Sequence, residues 1–340
     1  MVPPMMQMSE SQLMTRAAWL YYVGGLNQEA TAGRMGLTRA RVNKLLAQAR
    51  DSGLVSITID GRDVGLLPVE NAIRQEFGLQ FCIATPALSL TPADKADNPI
   101  LAEFPLRAVG SAAAAHLRDA LAAKPDLVVG TGWGRTLAQM SKHMAGVSAP
   151  RARFISLMGS LTANSSFNPF EVIHALAQAS GAEGFFLPVP FIADSEADRD
   201  VLYSQQAVTR PLELARYADL ALISVGELTE SSLLRRQGMI SSTELAELRA
   251  AGAVGDTNGI FFDASGYPVS HDLNSRTLAV GFEDLRRSFT VLLAAGTEKV
   301  EATEALLRSG VPKGLIIDGD TALMLAARLG LDHGGATGAA

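Results

Sequence analysis

Short apolar runs at positions 127–130, 154–158, 220–225, 291–295 and 315–317 each stop at a glycine or a polar loop. Strands that are apolar on nearly every residue, rather than on every second one, belong to sheets buried on both faces. Stretches able to form helices separate the runs. Together they predict a larger α/β domain, a mostly parallel sheet with helices on both faces. Ligands of such sheets gather at the carboxyl ends of the strands. The segment 261–267, with Gly266, reads instead as a hairpin turn, and no long self-similar repeat of the solenoid kind recurs.

The first 60 residues follow another pattern. Positions 10–23 form a helical stretch with Leu13, Ala17, Leu20 and Tyr21 on one face, closed by Gly24-Gly25. Asn27 is placed to cap a short helix over 28–35, and Gly36 supplies the positive φ of a turn. Thr38 caps a third helix to about Asp51, in which Val42, Leu45, Leu46 and Ala49 make one buried stripe. Gly53 closes it, and 54–60 alternates like a strand. This predicts an N-terminal, all-α winged helix-turn-helix domain over 1–60, a linker over 61–68, a ligand-binding and oligomerisation domain over 69–330, and a disordered tail over 331–340.

Between Leu26 and Arg50 there are five basic residues and one acid, although the whole chain carries a net charge of −6. Arg39, Arg41, Asn43 and Gln48 on the third helix are of the types that hydrogen-bond base edges in a major groove. Arg34 and Lys44, with Thr38 at the helix start, suit phosphate contacts that fix register without reading sequence. The plainer alternative is a helical hairpin with a solvated basic face.

Cys82 is the only cysteine. No internal disulfide or cysteine-rich zinc site is therefore expected, and a reducing cytoplasm fits. The N-terminus lacks the pattern of a secretory signal, and no apolar run approaches the ~20 residues that span a bilayer. No metal, cofactor or membrane partner is predicted.

Glycines dominate "GTGWGRT" at 130–136, between a strand and a helix. A dinucleotide fingerprint would need G-x-G-x-x-G with an acid about 20 residues on, and a Walker loop would need Gly-Lys-Ser/Thr; this loop has neither. Gly130, Gly132 and Gly134, the side chains of Thr131, Arg135 and Thr136, and a helix N-terminus would cradle a smaller anion. The alternative is a tight turn chosen for packing. Lys299 opposes the macrodipole at the start of a helix, with no acid at i−4, i+3 or i+4, and a bound anion would explain it; an exposed lysine is the other reading. Asn164, Asn168 and Glu171, with His174 one helical turn after Glu171, follow the run 154–158, and Asp318 and Asp320 follow the last. Such groups bind sugar hydroxyls, although Asp320 would equally serve as a helix N-cap.

The segments "YYVGGLNQEATAGRMGLTRARVNKLLAQARDSGLV", "GTGWGRTL", "FISLMGS", "GAVGD" (ending at Asp256) and "LLAAGTEKVEATEALLRSG" resemble the SorC-type transcriptional regulators, related to the DeoR group. The resemblance runs from Trp19 to about Leu325. The segments "SLTANSSFNPFEVIHALA" and "FFLPVPFIADSEADRDVL" are similar to the branch that contains the erythritol-catabolism repressor. It implies a sugar-isomerase-like effector domain without turnover, and a homodimer or homotetramer on double-stranded operator DNA. It also implies a sugar, polyol or sugar-phosphate inducer, with Asp256 among the effector residues. The chain departs from the family pattern at Ala295-Gly296-Thr297 and at Ile317-Asp318-Gly319-Asp320, which leaves the phosphorylation state of the inducer open. The expected function is that of a repressor of a carbohydrate or polyol operon with no catalytic residues. The rival is a sugar-phosphate isomerase or deaminase using Asp318, Glu171 or His174, and a third reading is an NAD-binding redox sensor.

Overall fold

The structure, a computed structural model, describes residues 8–55, 57, 65–160 and 169–331. Asn164, Asn168, most of the expected strand 54–60 with its wing, and the tail from 332 lie outside the described residues.

The N-terminal helices start where side chains satisfy their free N–H groups. Ser9 and Gln12 form a capping box on Glu10–Ala18, Asn27 accepts from Ala30 N, and Thr38 accepts from Arg41 N. Gln28–Met35 and Arg39–Asp51 are joined through Gly36 at φ 62°, the left-handed cap that glycine takes without strain. Ala17, Ala32, Met35, Val42, Leu45 and Leu46 pack into a core of their own. The first helix departs from expectation at its end. Past Ala18 it widens into a π-helical turn, Trp19–Val23, in which Gly24 N donates to Trp19 O at 2.8 Å.

Beyond these helices the described residues carry ten strands: β1 Phe81–Ala84, β2 Val128–Thr131, β3 Arg153–Ser160, β4 Glu183–Pro190, β5 Leu220–Ser224, β6 Gly226–Glu227, β7 Ala253–Thr257, β8 Ile260–Asp263, β9 Phe289–Ala294 and β10 Gly314–Ile317. Seven of them form one sheet in the order β1-β10-β9-β5-β2-β3-β4, every pair parallel. Alternate residues serve opposite faces. Val129, Leu222, Leu293 and Ile316 pack under helices Phe104–Ala123, Arg135–Lys142 and Pro169–Ser180. Val128, Ala221, Ile223, Leu292 and Ile317 pack under Leu67–Glu76, Gln206–Arg216, Val300–Arg308 and Gly319–Arg328. The first of these helices begins at Leu67, inside the linker expected over 61–68.

From β2 the chain builds outward through β3 and β4, then returns to the other side of β2 with β5. The crevice between β2 and β5 is thus the topological switch point, where open α/β sheets bind ligands. The sequence did not announce the small antiparallel sheet β6-β7-β8, whose hairpin tip lies at the same end. The expected turn at Gly266 follows β8, with Gly266 N donating to Asp263 O.

Close helix packing sets one testable constraint. A Cβ on Gly110 would lie 2.7 Å from Gln139 Cβ and 2.9 Å from Met140 N on the neighbouring helix. Gly110→Ala is therefore expected to destabilise by about 1–3 kcal/mol through overpacking, against alanine's helix preference of about 1 kcal/mol. Gly33, whose Cβ would meet open space within Gln28–Met35, is the control. There alanine should stabilise, and denaturation curves giving both substitutions the same sign would contradict the packing account.

Candidate functional site

Two regions gather the polar residues singled out in the sequence. The first is the helix-turn-helix. Arg34, Thr38, Arg39, Asn43 and Lys44 are exposed. Asn43 and Lys44 point away from the Val42–Leu45–Leu46–Ala49 stripe and flank a surface otherwise made of Ala40 and Ala47. Arg39 Nε reaches Gln28 Oε1 at 3.4 Å, tying helix Arg39–Asp51 to its predecessor.

Two expected members of this face sit differently. Arg41 lies on the flank that packs against the first helix and pairs with Glu10. Both partners are open to solvent, so the pair contributes only about 0–1 kcal/mol and holds Arg41 weakly. Gln48 is half-buried on the same flank, with its Oε1 buried and unpartnered among the described residues.

The second region is a cleft at the switch point, about 480 Å³ including its open mouth, lined by residues of 133–136, 224–227 and 232–234 together with Asp256, Asn258 and Lys299. The glycine loop forms one wall. Gly132 N donates to Leu222 O and Ser224 Oγ donates to Trp133 O, so β5 holds the loop open. Gly134, at φ 114°, precedes helix Arg135–Lys142 without any side-chain cap. The first N–H groups of that helix are thereby left for a ligand, as at anion-binding helix starts. Thr136 is buried and Arg135 half-buried in this wall.

The opposite wall is ionic. Lys299 ends a 3-10 turn, Thr297–Lys299, and is only 8% exposed, which removes the exposed-lysine reading. The acids missing from its own helix come from elsewhere: Glu227 of β6 and Asp256 of β7 act on it, with Glu298 adjacent. Among the described residues no ion pair within 4.0 Å closes on it. Burial pushes its ammonium below the ordinary lysine value, and Arg135 pushes the same way. Asp256 is 4% exposed, and its carboxylate accepts from Gly259 N at 3.2 Å. Burial, reinforced by Glu227, raises its pKa from 3.8 to about 7 against the pull of that hydrogen bond and of Lys299.

Of the expected effector residues, Gly134, Arg135, Thr136, Asp256 and Lys299 meet in this cleft. The glycine loop and Lys299 reach the cleft from the ends of strands that are not neighbours; β5 runs between β2 and β9. Gly130 and Thr131 are buried within β2, and the Thr131 hydroxyl has no partner among the described residues. Gly132 backs the cleft against Asn258: a Cβ there would lie 2.4 Å from Asn258 Oδ1. Glu171 and His174 are exposed on helix Pro169–Ser180, which the proline opens, and neither lines the cleft.

Asp318 has a different task from the one expected. It is the N-cap of Gly319–Arg328. Its carboxylate accepts from Thr321 N and Oγ1 and from Gly296 N, which ties the ends of β9 and β10 together. Asp320, the expected cap, instead accepts from Ser89 N and Leu90 N. The residues that sequence reasoning passed over are Trp133, Ser224, Glu227 and Asn258. Asn258-Gly259 is an Asn-Gly hairpin signal between two apolar stretches and was open to detection; Glu227 carries no comparable signal. The cleft offers N–H donors on one wall and two carboxyl groups with a cation on the other, a set matched to a small polyhydroxylated molecule.

The chain matches the Sugar-bind family, a sugar-binding domain, over residues 63–327. It is 36% identical over 317 residues to the erythritol catabolism regulatory protein EryD of Brucella abortus, covering 93% of this chain and 97% of that one. It is 28% identical over 329 residues to the transcriptional regulator LsrR of an Enterobacter species, covering 95% of each. The full-length sorbitol operon regulator SorC from Klebsiella pneumoniae shares the fold. It superposes with a TM-score of 0.66 at 22% identity over 93% of this chain and 99% of that structure.

The buried carboxyl yields a pH test. A carboxyl whose folded pKa lies above its unfolded value stabilises the fold fully below the unfolded value. That contribution disappears as pH rises through the folded one. For Asp256 the window runs from 3.8 to about 7. Asp256→Asn keeps an acceptor for Gly259 N and does not titrate. Wild type should therefore lose stability relative to the variant across this window, by at most about 4 kcal/mol at roughly 1.4 kcal/mol per pKa unit. A stability difference in urea that is the same at pH 4.5 and pH 8 would contradict the assignment.

Proposed function

The chain belongs to the Sugar-bind family of SorC- and DeoR-type transcriptional regulators, and from that premise we propose that it is a cytoplasmic repressor of a polyol or sugar operon, released from DNA by a small polyhydroxylated inducer. The observation that carries this reading is one chain holding both a basic recognition helix and a switch-point cleft of mixed donors and carboxyls. EryD is named for erythritol catabolism, and the donors and carboxyls lining the cleft are of the kind that hold the hydroxyls of a polyol. The cleft sets Lys299 and Arg135 against Glu227 and Asp256, a near balance of charge that suits a neutral ligand.

The two functions are joined by one short helix. The start of Arg135–Lys142 lines the cleft, and Lys142 O at its other end is packed against Gly53, where a Cβ would come within 2.7 Å. Gly53, at φ 72°, directly follows the recognition helix and its cap. Eight residues of helix span about 12 Å, so a shift at the cleft is delivered rigidly to the base of the DNA-binding unit. An inducer acts only by binding the DNA-free state more tightly than the bound one. One recognition helix reads one half-site, so the working form is a homodimer or homotetramer.

One feature favours a second reading. Asp256, with a pKa near neutrality beside Lys299, is the kind of group that serves as a general base, and a sugar-phosphate isomerase would use it so. Asp318, Glu171 and His174, the candidates for that role in the sequence, do not line the cleft. Turnover of a sugar phosphate that is lost in Asp256→Asn would establish the enzyme.

For the regulator, Asn43→Ala is expected to cost about 1–3 kcal/mol of operator affinity and to relax specificity at one base. Lys44→Ala should weaken all DNA sequences alike and flatten the salt dependence, while erythritol still releases both variants from DNA. Binding isotherms on operator and scrambled DNA that match wild type for both variants would show the basic face to be solvated surface only.

A further inference from the structure

Asn258 stands out among the buried polar groups because its position is explained and its burial is not. Thr257 pairs with Ile260 across the β7–β8 hairpin, leaving Asn258-Gly259 as a two-residue loop with φ 50° and 76°. Such a loop needs only a first residue that tolerates left-handed backbone, and glycine or aspartate would serve. The tips of hairpins ordinarily face water. This one is driven into the carboxyl end of the main sheet, held by Thr257 Oγ1 on Ser224 O, by Asp256 on Gly259 N and by Thr277 Oγ1 on Gly259 O.

The Asn258 side chain consequently ends up 2% exposed. Its Oδ1 faces the α-carbon of Gly132, and its Nδ2 has no hydrogen-bond partner among the described residues. A buried amide left unpaired is destabilising, and buried polar groups in native proteins nearly always have partners. The same side chain lines the cleft beside the uncapped start of Arg135–Lys142, Asp256 and Lys299.

We propose that Asn258 is a specificity-determining residue of the effector site, its Nδ2 donating to a hydroxyl oxygen of the polyol. The inference rests on the effector reading given above. The hairpin supplies a fixed donor whose partner arrives with the ligand. A ligand lacking that hydroxyl leaves the amide unpaired and is rejected. The mixed wall then divides its work: Glu227 and Asp256 accept hydroxyl protons, while Asn258 selects by donating.

The test uses the full chain, with erythritol and its two monodeoxy analogues, butane-1,2,3-triol and butane-1,2,4-triol, as probes in calorimetric titrations. Asn258→Gly is the variant, because glycine keeps the turn at positive φ, and thermal melting checks that it folds. Wild type is expected to bind erythritol at least about tenfold more tightly than one of the triols. The glycine variant should lose about tenfold in erythritol affinity and most of that discrimination, with a ligand-free melting temperature equal to wild type or higher. Unchanged discrimination in the variant, or a lower melting temperature with wild-type affinity, would reduce Asn258 to a turn residue and leave the effector reading standing. Wild type that binds no erythritol would overturn both. Binding of inorganic phosphate weakened by Asn258→Gly, with no response to erythritol, would replace the hydroxyl by an anion oxygen and likewise overturn the proposal.

Discussion

The central physical constraint is the shared burial of Lys299, Asp256 and Glu227 at the carboxyl end of one sheet. Removing an ammonium and two carboxyl groups from water is costly unless they compensate one another. The compensation requires three separate pieces of chain to converge: the turn after β9, the short strand β6 and the hairpin β7–β8. Burial shifts Lys299 and Asp256 in opposite senses, each toward its neutral form. The cleft thus holds buried ionisable groups beside donors left unpaired.

Glycines make that convergence sterically feasible. A Cβ on Gly226 would lie 2.2 Å from Asp256 Oδ1, and one on Gly255 would lie 2.5 Å from Ala302 Cβ. A side chain at Gly255 would push β7 away from the helix after Lys299, and one at Gly226 would displace the Asp256 carboxyl. Gly132 plays the same part toward Asn258. These glycines serve close approach, whereas Gly134 and Gly296, at φ 114° and 108°, serve the turns that carry the chain out of β2 and β9.

Much of this was legible from local pattern. The caps Asn27 and Thr38, the αL turn at Gly36 and the buried stripe of Arg39–Asp51 are encoded by adjacent residues, and the helices begin and end where those signals lie. The apolar runs marked β2, β3, β5, β9 and β10 to within about two residues. Strand order is a tertiary property, so no local pattern shows that β5 separates the glycine loop from the turn of Lys299. Asp318 was read as a ligand group and Asp320 as the alternative cap, because a carboxylate after a strand serves equally as either; the hydrogen bonds from Gly296 N and Thr321 make Asp318 the cap. Glu227 was illegible because its neighbours in the cleft are set by the two-residue strand β6 pairing with β7. Asp256 came into view through family resemblance rather than through any pattern of its own.

Helix Arg135–Lys142 runs from the cleft to Gly53 at the end of helix Arg39–Asp51, so on the proposed reading inducer and DNA would act on one rigid element. Hydrogen exchange of the full chain, with and without saturating erythritol, tests this most directly. The account predicts slowed exchange at 132–138, 224–228 and 256–260, a change extending through 139–143 to residues 50–55, and no change in helix Pro169–Ser180, which does not line the cleft. Protection confined to that helix, or protection in the cleft that stops short of residue 139, would contradict it.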